Sequence, residues 1–370
     1  MDRLLANQRL NAPSGQLASN NGLVNLVMQG DGNLVLYRTA SGVALWASNT
    51  SGKPVDHAVM QGDGNFVAYS SAGFPLWATG TDRHPGAWLL LQSDGNLVVY
   101  DRANNPLWAS NTSAGRVPGF VPSRSGLHFQ NQWPPGTSYP VITLPPIGTV
   151  VSGDATNGLC GGFVLTSLDC FLHSPKLSPP VTTSAPAAGT PLFNYLVSRL
   201  MDSFLRLNID AWTNAGKCID WIGTSSHDVM LVLPRGLGRR MVQEEWPRIK
   251  ADIDSLRPSP LYLVAGPPCG LGDIPCITAA LHHCHQVLAY AYSLDDANNL
   301  VLWVYDCNDP SNNSSTIELN IGNPAHTIGI TANGIVTALG GGVTIRGIFR
   351  EEYALREPLE IMSLLAPVDG

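Results

Sequence analysis

The chain has 370 residues, of which 44% are hydrophobic and only 13% are charged, and its formal net charge is −7. This length predicts two to three domains. The acidic balance argues against a protein that binds nucleic acid. No uninterrupted run of 18 apolar residues occurs, so no membrane span is expected.

A nine-residue phrase occurs three times in the first hundred positions, as QGDGNLVLY, QGDGNFVAY and QSDGNLVVY. A tryptophan follows each copy with a repeat of 31 residues, at Trp46, Trp77 and Trp108. A fixed period of this size predicts one supersecondary unit built three times, with a core buried between the copies. We therefore assign the three tryptophans to a central stack along a pseudo-threefold axis.

The polar residues of each phrase are spaced by two. In the first copy they are Gln29, Asp31, Asn33 and Tyr37, with Val35 between them, and on an extended strand their side chains would share one face. The four polar groups offer amide donors, amide and carboxylate acceptors and a phenol, and the valine adds an apolar floor. This surface suits the hydroxyls and C–H patch of a hexose. It suits a phosphate poorly, because none of the copies contains Lys or Arg.

A structural alternative stays open for the same phrases. An Asp-Gly pair between apolar runs is a strong hairpin-turn signal. In that interpretation the Asp and Asn of each copy stabilise a bend, and the Tyr is a half-buried strand residue.

Residues 2–112 resemble the monocot mannose-binding lectins of the bulb type, whose signature is Q-x-D-x-N-x-V-x-Y. The resemblance implies an all-β domain, a β-prism II of three four-stranded sheets, that binds mannose or mannose-rich glycans at one shallow site per sheet. It also allows a homodimer through this domain, since relatives can exchange a terminal strand. The implied sugar-binding residues are Gln29, Asp31, Asn33, Val35 and Tyr37; Gln61, Asp63, Asn65, Val67 and Tyr69; and Gln92, Asp94, Asn96, Val98 and Tyr100.

After Trp108 the repetition stops. The stretch 113–125 is rich in Gly, Pro and Ser and predicts a linker between a domain at 1–112 and a second domain at 126–370. Helices that precede strands predict an α+β fold for the second domain. The predicted helices are within Gly158–His173, Pro191–Leu207 and Gln243–Leu256, the last with a bend at Pro247, and the predicted strands are Leu261–Gly266, His285–Tyr292 and Leu300–Asp306.

Three residues of the second domain form a candidate catalytic set. Cys160 follows a glycine-rich loop at a predicted helix start, where unpaired N–H groups favour the nucleophilic thiolate. His285 begins a strand and could act as the base, and Asp306 ends the next strand and could orient the imidazole. We expect the neighbouring glycines to let a substrate backbone approach closely.

GLCGGF, HQVLAYAY and YDCN resemble motifs of papain-like cysteine peptidases and related bacterial proteins over roughly Gly126 to Tyr353. The resemblance implies a papain-like fold and hydrolysis of a peptide or protein substrate through a thioester. Cys160 is then the nucleophile, His285 the general base and acid, and Asp306 the orienting group, with Asn308 as its substitute. Asn157 or the backbone N–H of Cys160 is the candidate oxyanion donor, because Gln132 lies too far before the cysteine. Neither a cofactor nor a metal is expected.

Three alternatives stay open for the second domain. It could be a catalytically inactive partner module beside an active lectin. It could be a deamidase or a transglutaminase on the same fold. The run from His282 to His285, with Cys269 and Cys276, could instead hold zinc, although the spacing fits no standard finger. Domain pairing suggests the hypothesis of an enzyme delivered to glycosylated surfaces, for defence or toxicity.

All seven cysteines lie between Cys160 and Cys307. The odd number and the absence of cysteine from the lectin-like part argue against a disulfide framework and for a reduced compartment or a reactive thiol. No signal peptide is apparent. The sequence therefore favours a cytoplasmic or non-classically secreted protein.

Overall fold

The computed structural model describes residues 1–370 except 41, 141, 145–147, 152, 176, 180–183, 206–212, 227–235, 267, 271–272, 327, 336–343 and 368–370. The chain forms two compact units. Unit 1 contains residues 1–116 and 292–300, and unit 2 contains residues 117–291 and 301–370. Among the described residues, no helix is long and apolar enough to cross a membrane.

Unit 1 contains three four-stranded antiparallel sheets, with strand orders β1-β10-β11-β12, β2-β7-β8-β9 and β3-β4-β5-β6. Each sheet consists of one strand from the first 18 residues and three strands from one repeat, which is consistent with the expected β-prism. The strands are β1 (Arg3–Leu4), β2 (Arg9–Asn11), β3 (Gln16–Ala18), β4 (Val24–Met28), β5 (Leu34–Arg38), β6 (Ala44–Ala47), β7 (Val55–Met60), β8 (Phe66–Ser70), β9 (Pro75–Ala78), β10 (Trp88–Leu91), β11 (Leu97–Tyr100) and β12 (Pro106–Ala109).

The core of unit 1 lies between the three sheets. Alternate strand residues such as Leu34 and Leu36 are fully buried there. The rings of Trp46, Trp77 and Trp108 meet edge to face, with centroids 5.3–5.8 Å apart. The predicted contact between the three tryptophans is confirmed, but only Trp46 is buried, while Trp77 and Trp108 are partly buried against the core. Each sheet needs the other two to cover its inner face, which explains why the three repeats occur together.

The segment 113–125, interpreted above as a linker, contains regular structure. Strand β13 (Ser113–Arg116) comes first, and the one-turn helix α1 (Pro122–Ser125) ends the segment. Pro122 lies in the first turn of that helix, where a residue without an N–H is tolerated.

Unit 2 combines helices with a mainly antiparallel sheet, in the strand order β21-β20-β19-β18-β17-β22. The further helices are α2 (Cys160–His173), α3 (Pro191–Leu205), α4 (Asn214–Gly223), α5 (Leu237–Arg240), α6 (Trp246–Asp254) and α7 (Ile274–His283), with 3₁₀ turns at Ala155–Asn157 and Leu359–Leu364 and a π-helix at Met241–Glu245. The further strands are β14 (Ile142–Leu144), β15 (Gly148–Val151), β16 (Leu177–Ser178), β17 (Ser259–Ala265), β18 (His285–Leu294), β19 (Asn299–Asp306), β20 (Thr316–Asn320), β21 (Ile330–Asn333), β22 (Ile345–Arg350) and β23 (Ala366–Pro367).

The third predicted helix differs from the structure at Pro247. The segments α5, the π-helix and α6 form one continuous helical run from Leu237 to Asp254, and Pro247 lies inside it, directly after the π-helix. The helical geometry therefore changes to a π-helix next to the residue that lacks an N–H. The sequence pattern predicted one bent helix because it could not show where the helical geometry changes.

Helices α2 and α3 pack closely in unit 2. A Cβ added to Gly162 would lie 2.4 Å from the Leu196 carbonyl oxygen. The buried carboxylate of Asp169 on α2 also forms an ion pair with Arg199 on α3, with Nε 2.7 Å from Oδ2, and its Oδ1 accepts from Nη2 at 3.4 Å. Gly162 allows the two helices to lie close together, and the Asp169–Arg199 ion pair joins them. These interactions fix the position of α2 within unit 2.

The expectation that the chain has no disulfide is wrong. Cys269 and Cys276 are joined, with their Cα atoms 5.7 Å apart. Asp273, which caps α7 through the backbone N–H of Cys276, turns the chain between the two cysteines. Since disulfides are typical of oxidising compartments, the cysteine argument for a reduced compartment loses its basis. The bonded pair also cannot supply the zinc ligands considered above.

Candidate functional site

The first candidate site is the repeated phrase of unit 1, which does not form a single strand. Strand β5 begins only at Leu34, and the preceding residues form a turn. Gly32 has φ +88° in this turn, and a Cβ there would lie 2.1 Å from a backbone oxygen. The hairpin-turn interpretation is therefore correct for Asp31 and Asn33, and the expectation of one extended face is wrong for them. Tyr37 lies on the strand and is half-buried.

The same hydrogen bond occurs in all three phrases. The side-chain amide of each Gln donates to the hydroxyl of the Tyr eight residues later, at 2.8 Å, in Gln29–Tyr37, Gln61–Tyr69 and Gln92–Tyr100. The valines between them, Val35, Val67 and Val98, are only 2–3% exposed. Because each phenol already accepts this bond, its own proton can be donated to a ligand.

The Asp and Asn side chains are oriented by the turn. In each copy one Asp oxygen accepts from the Asn backbone N–H at 2.9–3.1 Å. The side-chain oxygen Oδ1 of Asn33 accepts from Ser48 Oγ and from the Thr50 backbone N–H, both at 3.1 Å. An amide whose oxygen is occupied presents its NH₂ group as the available donor. The turn thus fixes which end of the side chain can meet a ligand.

The three sites are not identical. Ser51 Oγ donates to the second carboxylate oxygen of Asp31 at 2.7 Å, so that oxygen is engaged within the protein. On the neighbouring strand, His57 stacks on Tyr69 and Trp88 stacks on Tyr100, with centroids 5.8 and 5.4 Å apart. The sites share their central groups but differ at their edges.

The second candidate site lies in unit 2 at the start of α2. Cys160 is the first residue of this helix and is partly exposed. Asn131 Nδ2 donates to Cys160 Sγ at 3.2 Å, and Asn131 Oδ1 accepts from the Leu159 backbone N–H at 2.7 Å. Gly158, at φ +85°, leaves space for this amide, since a Cβ there would lie 2.7 Å from Asn131 Nδ2. One side chain therefore orients both the helix start and the sulfur.

The sheet places His285 and Asp306 beside this sulfur. His285 begins β18, Asp306 ends β19, and these strands are neighbours in the sheet. His285 Nε2 and Asp306 Oδ1 are 2.8 Å apart, with the carboxylate fully buried. The sulfur atoms of Cys160 and Cys307 and a ring nitrogen of His285 all lie within 4.8 Å of one another. Because Nε2 meets the carboxylate, Nδ1 is the nitrogen left for the sulfur.

The electrostatics of this cluster favour an ion pair. A hydrogen bond from Cys307, reinforced by the charge of His285, holds the pKa of Cys160 well below its usual value. Burial opposes the imidazolium, but the Cys160 thiolate and Asp306 outweigh it and raise the pKa of His285 well above its usual value. Burial and the neighbouring thiolate raise the pKa of Cys307. These shifts favour a thiolate at residue 160, an imidazolium at residue 285 and a neutral thiol at residue 307.

Sequence reasoning missed two members of the cluster. Cys307 is fully buried, as a small core residue would be, but its sulfur accepts from Asn131 Nδ2 at 3.4 Å. Asn131 lies 29 residues before Cys160 and belongs to no recognisable motif. Asn308 does not replace Asp306: its backbone N–H donates to Asp306 Oδ1 at 3.0 Å.

The structure does not support the roles that were predicted for two glycines near Cys160, and it does not describe the side chain of the oxyanion candidate Asn157. Asn157 lies in a 3₁₀ turn, but its side chain is outside the described part of the chain. The expectation that Gly161 and Gly162 admit a substrate backbone is wrong, since both are buried. A Cβ at Gly161 would lie 2.2 Å from Gln286 Oε1 and from Ser203 Oγ. Helix packing explains these two glycines.

Comparisons with known proteins concern the N-terminal part of the chain. A monocot mannose-binding lectin from Gastrodia elata is 45% identical over 30% of this chain and 99% of its own, with a TM-score of 0.28. The mannose-specific agglutinin of snowdrop (Galanthus nivalis) bulbs, in complex with methyl-α-D-mannoside, is 34% identical over 30% and 96%, with a TM-score of 0.25. A lectin from Marasmius oreades is 33% identical over 30% and 90%, with a TM-score of 0.28. No family model and no curated protein matches the chain. The N-terminal 30% of the chain is similar to bulb-type mannose-binding lectins.

Proposed function

We propose that residues 1–112 bind mannose or mannose-containing glycans at three sites, and that residues 126–370 are a papain-like cysteine peptidase. The observation that carries the first part is the threefold Gln–Tyr hydrogen bond over a buried valine. The observation that carries the second part is the convergence of a thiol, an imidazole and a carboxylate in unit 2.

The argument for a sugar ligand follows from the bonds already made within each phrase. The Asn carbonyl and the Tyr acceptor position are occupied, so these groups offer N–H and O–H donors. The Gln side-chain oxygen supplies an acceptor in each copy, and the second Asp oxygen supplies another in the second and third copies, since Ser51 engages that oxygen of Asp31 in the first. Sugar hydroxyls donate and accept at once, so they complement such a mixed set, and the three phrases contain no Lys or Arg that would pair with a phosphate. The choice of mannose among hexoses follows the resemblance of the phrase to bulb-type lectins.

Three weak sites on one body favour clustered glycans. A ligand that reaches two sites binds the second as an intramolecular event, so avidity exceeds the affinity of one site. Carried by such a binding unit, a hydrolase would concentrate on glycosylated surfaces.

NMR titration of the full chain with methyl-α-D-mannoside tests the lectin proposal. Three separate sets of shifting resonances are expected, and the matching galactoside should shift them much less. Tyr37→Phe should weaken binding at the first site only, so that the other two sites serve as controls within the same molecule. If all three sites lose binding together, or if no resonance near the phrases moves, the sites are not the ones assigned.

The peptidase proposal has a defined sequence of steps. The Cys160 thiolate attacks the substrate carbonyl carbon, and the resulting oxyanion receives hydrogen bonds from the Cys160 backbone N–H and from Asn131. The His285 imidazolium donates its proton to the leaving amine, which leaves a thioester on Cys160. Neutral His285 then takes a proton from water, and the hydroxide releases the acid and restores the thiolate. Asp306 holds the imidazole in one orientation throughout.

Labelling and product analysis test the peptidase proposal. A thiol-directed electrophile should label Cys160 in the folded protein, and Cys160→Ala should abolish cleavage while mannoside binding remains. Cys284→Ala is the matched control, because that thiol lies 3.3 Å from the sulfur of Cys218 rather than in the cluster. Cleavage by Cys160→Ala equal to that of the wild type would refute the mechanism.

The open alternatives are distinguished by the mass of the product from a glutamine-containing peptide. A peptidase gives two fragments, a deamidase adds one mass unit, and a transglutaminase gives a cross-linked species. Labelling of Cys160 without any of these products would favour an inactive partner module.

A further inference from the structure

Cys307 contributes a second sulfur to the cluster that the acyl-transfer steps do not use. Its sulfur, the sulfur of Cys160 and a nitrogen of His285 lie within 4.8 Å of one another. Two cysteine sulfurs and one histidine nitrogen are a common ligand set for zinc. We propose that Cys160, Cys307 and His285 form an inhibitory Zn²⁺ site that holds the proposed nucleophile and base out of reaction; this inference rests on the proposed peptidase function only for its inhibitory effect.

The distances fit a site that closes slightly on binding. Zinc–sulfur bonds of about 2.3 Å and zinc–nitrogen bonds of about 2.0–2.1 Å in a tetrahedron place the ligand atoms about 3.5–3.8 Å apart. The present upper limit of 4.8 Å therefore requires each ligand–ligand distance to shorten by about 1.3 Å or less. The amide of Asn131, which now donates to both sulfurs, would give up those contacts.

The surroundings of His285 also match those of a metal ligand. Zinc-bound histidines usually donate their second ring N–H to a carboxylate, which fixes the ring and raises its basicity. Asp306 makes this contact with Nε2 at 2.8 Å, so Nδ1 is directed to the sulfurs. The side-chain oxygen of Asn308, 3.8 Å from Cys307 Sγ, or a water molecule can occupy the fourth position.

Binding changes the protonation of the cluster. Zinc takes thiolate sulfur and neutral imidazole, so the Cys307 thiol and the His285 imidazolium each release a proton. The proposed peptidase needs the opposite state, with a free thiolate and an imidazolium that can protonate a leaving amine. A single bound Zn²⁺ ion therefore blocks both the Cys160 thiolate and the His285 imidazolium, and a chelator should restore them.

Zn²⁺ titration of the full chain, with both thiols shown to be reduced by thiol counting, tests the site. We expect one equivalent to bind by competition with a chromophoric chelator, and Cys307→Ser to weaken binding by about 100-fold or more. Cys284→Ser is the matched control and should bind as the wild type does. Co²⁺ in the wild type should give the absorption of thiolate-to-metal charge transfer, and Cys307→Ser should reduce it.

Protection of the nucleophile is a second measurement that does not depend on peptidase activity. Zn²⁺ should block alkylation of Cys160 by iodoacetamide, and EDTA should reverse the block. Equal zinc affinity of the wild type and Cys307→Ser, or isolation of residues 160 and 307 as a disulfide that resists reduction in the folded protein, would overturn the zinc site. Failure of the metal-free protein to cleave any peptide would instead count against the peptidase proposal and leave zinc binding measurable.

Discussion

Replacing Asn131 with aspartate tests whether this side chain stabilises the Cys160 thiolate. Asparagine and aspartate have nearly the same shape, and the aspartate can still accept the Leu159 N–H bond, which is 2.7 Å in the wild type. The variant loses the donor that lies 3.2 Å from the sulfur. A carboxylate in its place repels the thiolate. The helix start is preserved while the sulfur loses its partner.

The size of the effect follows from the strength of one hydrogen bond. A hydrogen bond to a charged group contributes about 1.5–3 kcal/mol. Losing it lowers the thiolate fraction at a pH below the pKa of Cys160 by about 10- to 150-fold. The repulsion of a carboxylate adds to this loss, so that range is a lower bound for an ionised aspartate.

The rate of iodoacetamide alkylation of Cys160, followed by mass spectrometry between mildly acidic and alkaline pH, measures this fraction. The variant should react more slowly in acid and approach the wild-type rate in alkali. Asn131→Ala, which cannot donate or accept, should show the same direction of change. A pH profile that is unchanged in both variants would refute the assignment of Asn131 as the thiolate donor.

Three other predictions concern separate parts of the molecule. Asp306→Asn removes the carboxylate that raises the pKa of His285, so the imidazolium should lose its proton at lower pH than in the wild type, as measured by NMR of the ring carbons; an unchanged titration would contradict this. Ser51→Ala frees the second oxygen of Asp31 and should raise mannoside affinity at the first site by about 2- to 10-fold, with the other two sites unchanged in the same titration. Lys217→Met removes the 2.6 Å charged hydrogen bond to the buried Glu245 carboxylate, which keeps the Arg350 N–H and the more distant Arg248, and should lower the free energy of unfolding by about 1.5–3 kcal/mol in urea, whereas Lys250→Met, at a partly exposed pair with Asp254, should change it by no more than about 1 kcal/mol.

Much of unit 1 could be predicted from the sequence because the pattern within each repeat indicates both its strands and its buried residues. The period of 31 residues predicted the tryptophan core, and the apolar alternation predicted the strands. The single extended face was wrong because Gly32 and its equivalents require a turn with positive φ. The Asp-Gly pair indicated this turn, but no local pattern reveals the close approach of the Lys53 carbonyl, which leaves no room for a Cβ at Gly32.

In unit 2 the sequence predicted the helices and strands better than it predicted which side chains contact one another. The start of α2 at Cys160 and the strands that carry His285 and Asp306 follow from glycine position and β-branched or aromatic runs. The sequence pattern does not show that His285 and Asp306 lie near the sulfur of Cys160, because this proximity depends on how α2 packs on the sheet. Nothing local distinguishes Cys307 from the buried Cys170, since both are small apolar residues in sequence terms.

Asn131 shows why a donor of this kind escapes sequence analysis. Its oxygen accepts the backbone N–H that precedes the helix, and its nitrogen donates to two sulfurs and to the Asn308 side chain. Every one of these partners is at least 28 residues away, so the role exists only after folding. Asn131 therefore couples the protonation state of Cys160 to the packing of the chain that precedes α2. A destabilising change in residues 126–134 should slow the alkylation of Cys160 even when the cluster itself is intact, since the amide would no longer be held against the sulfur.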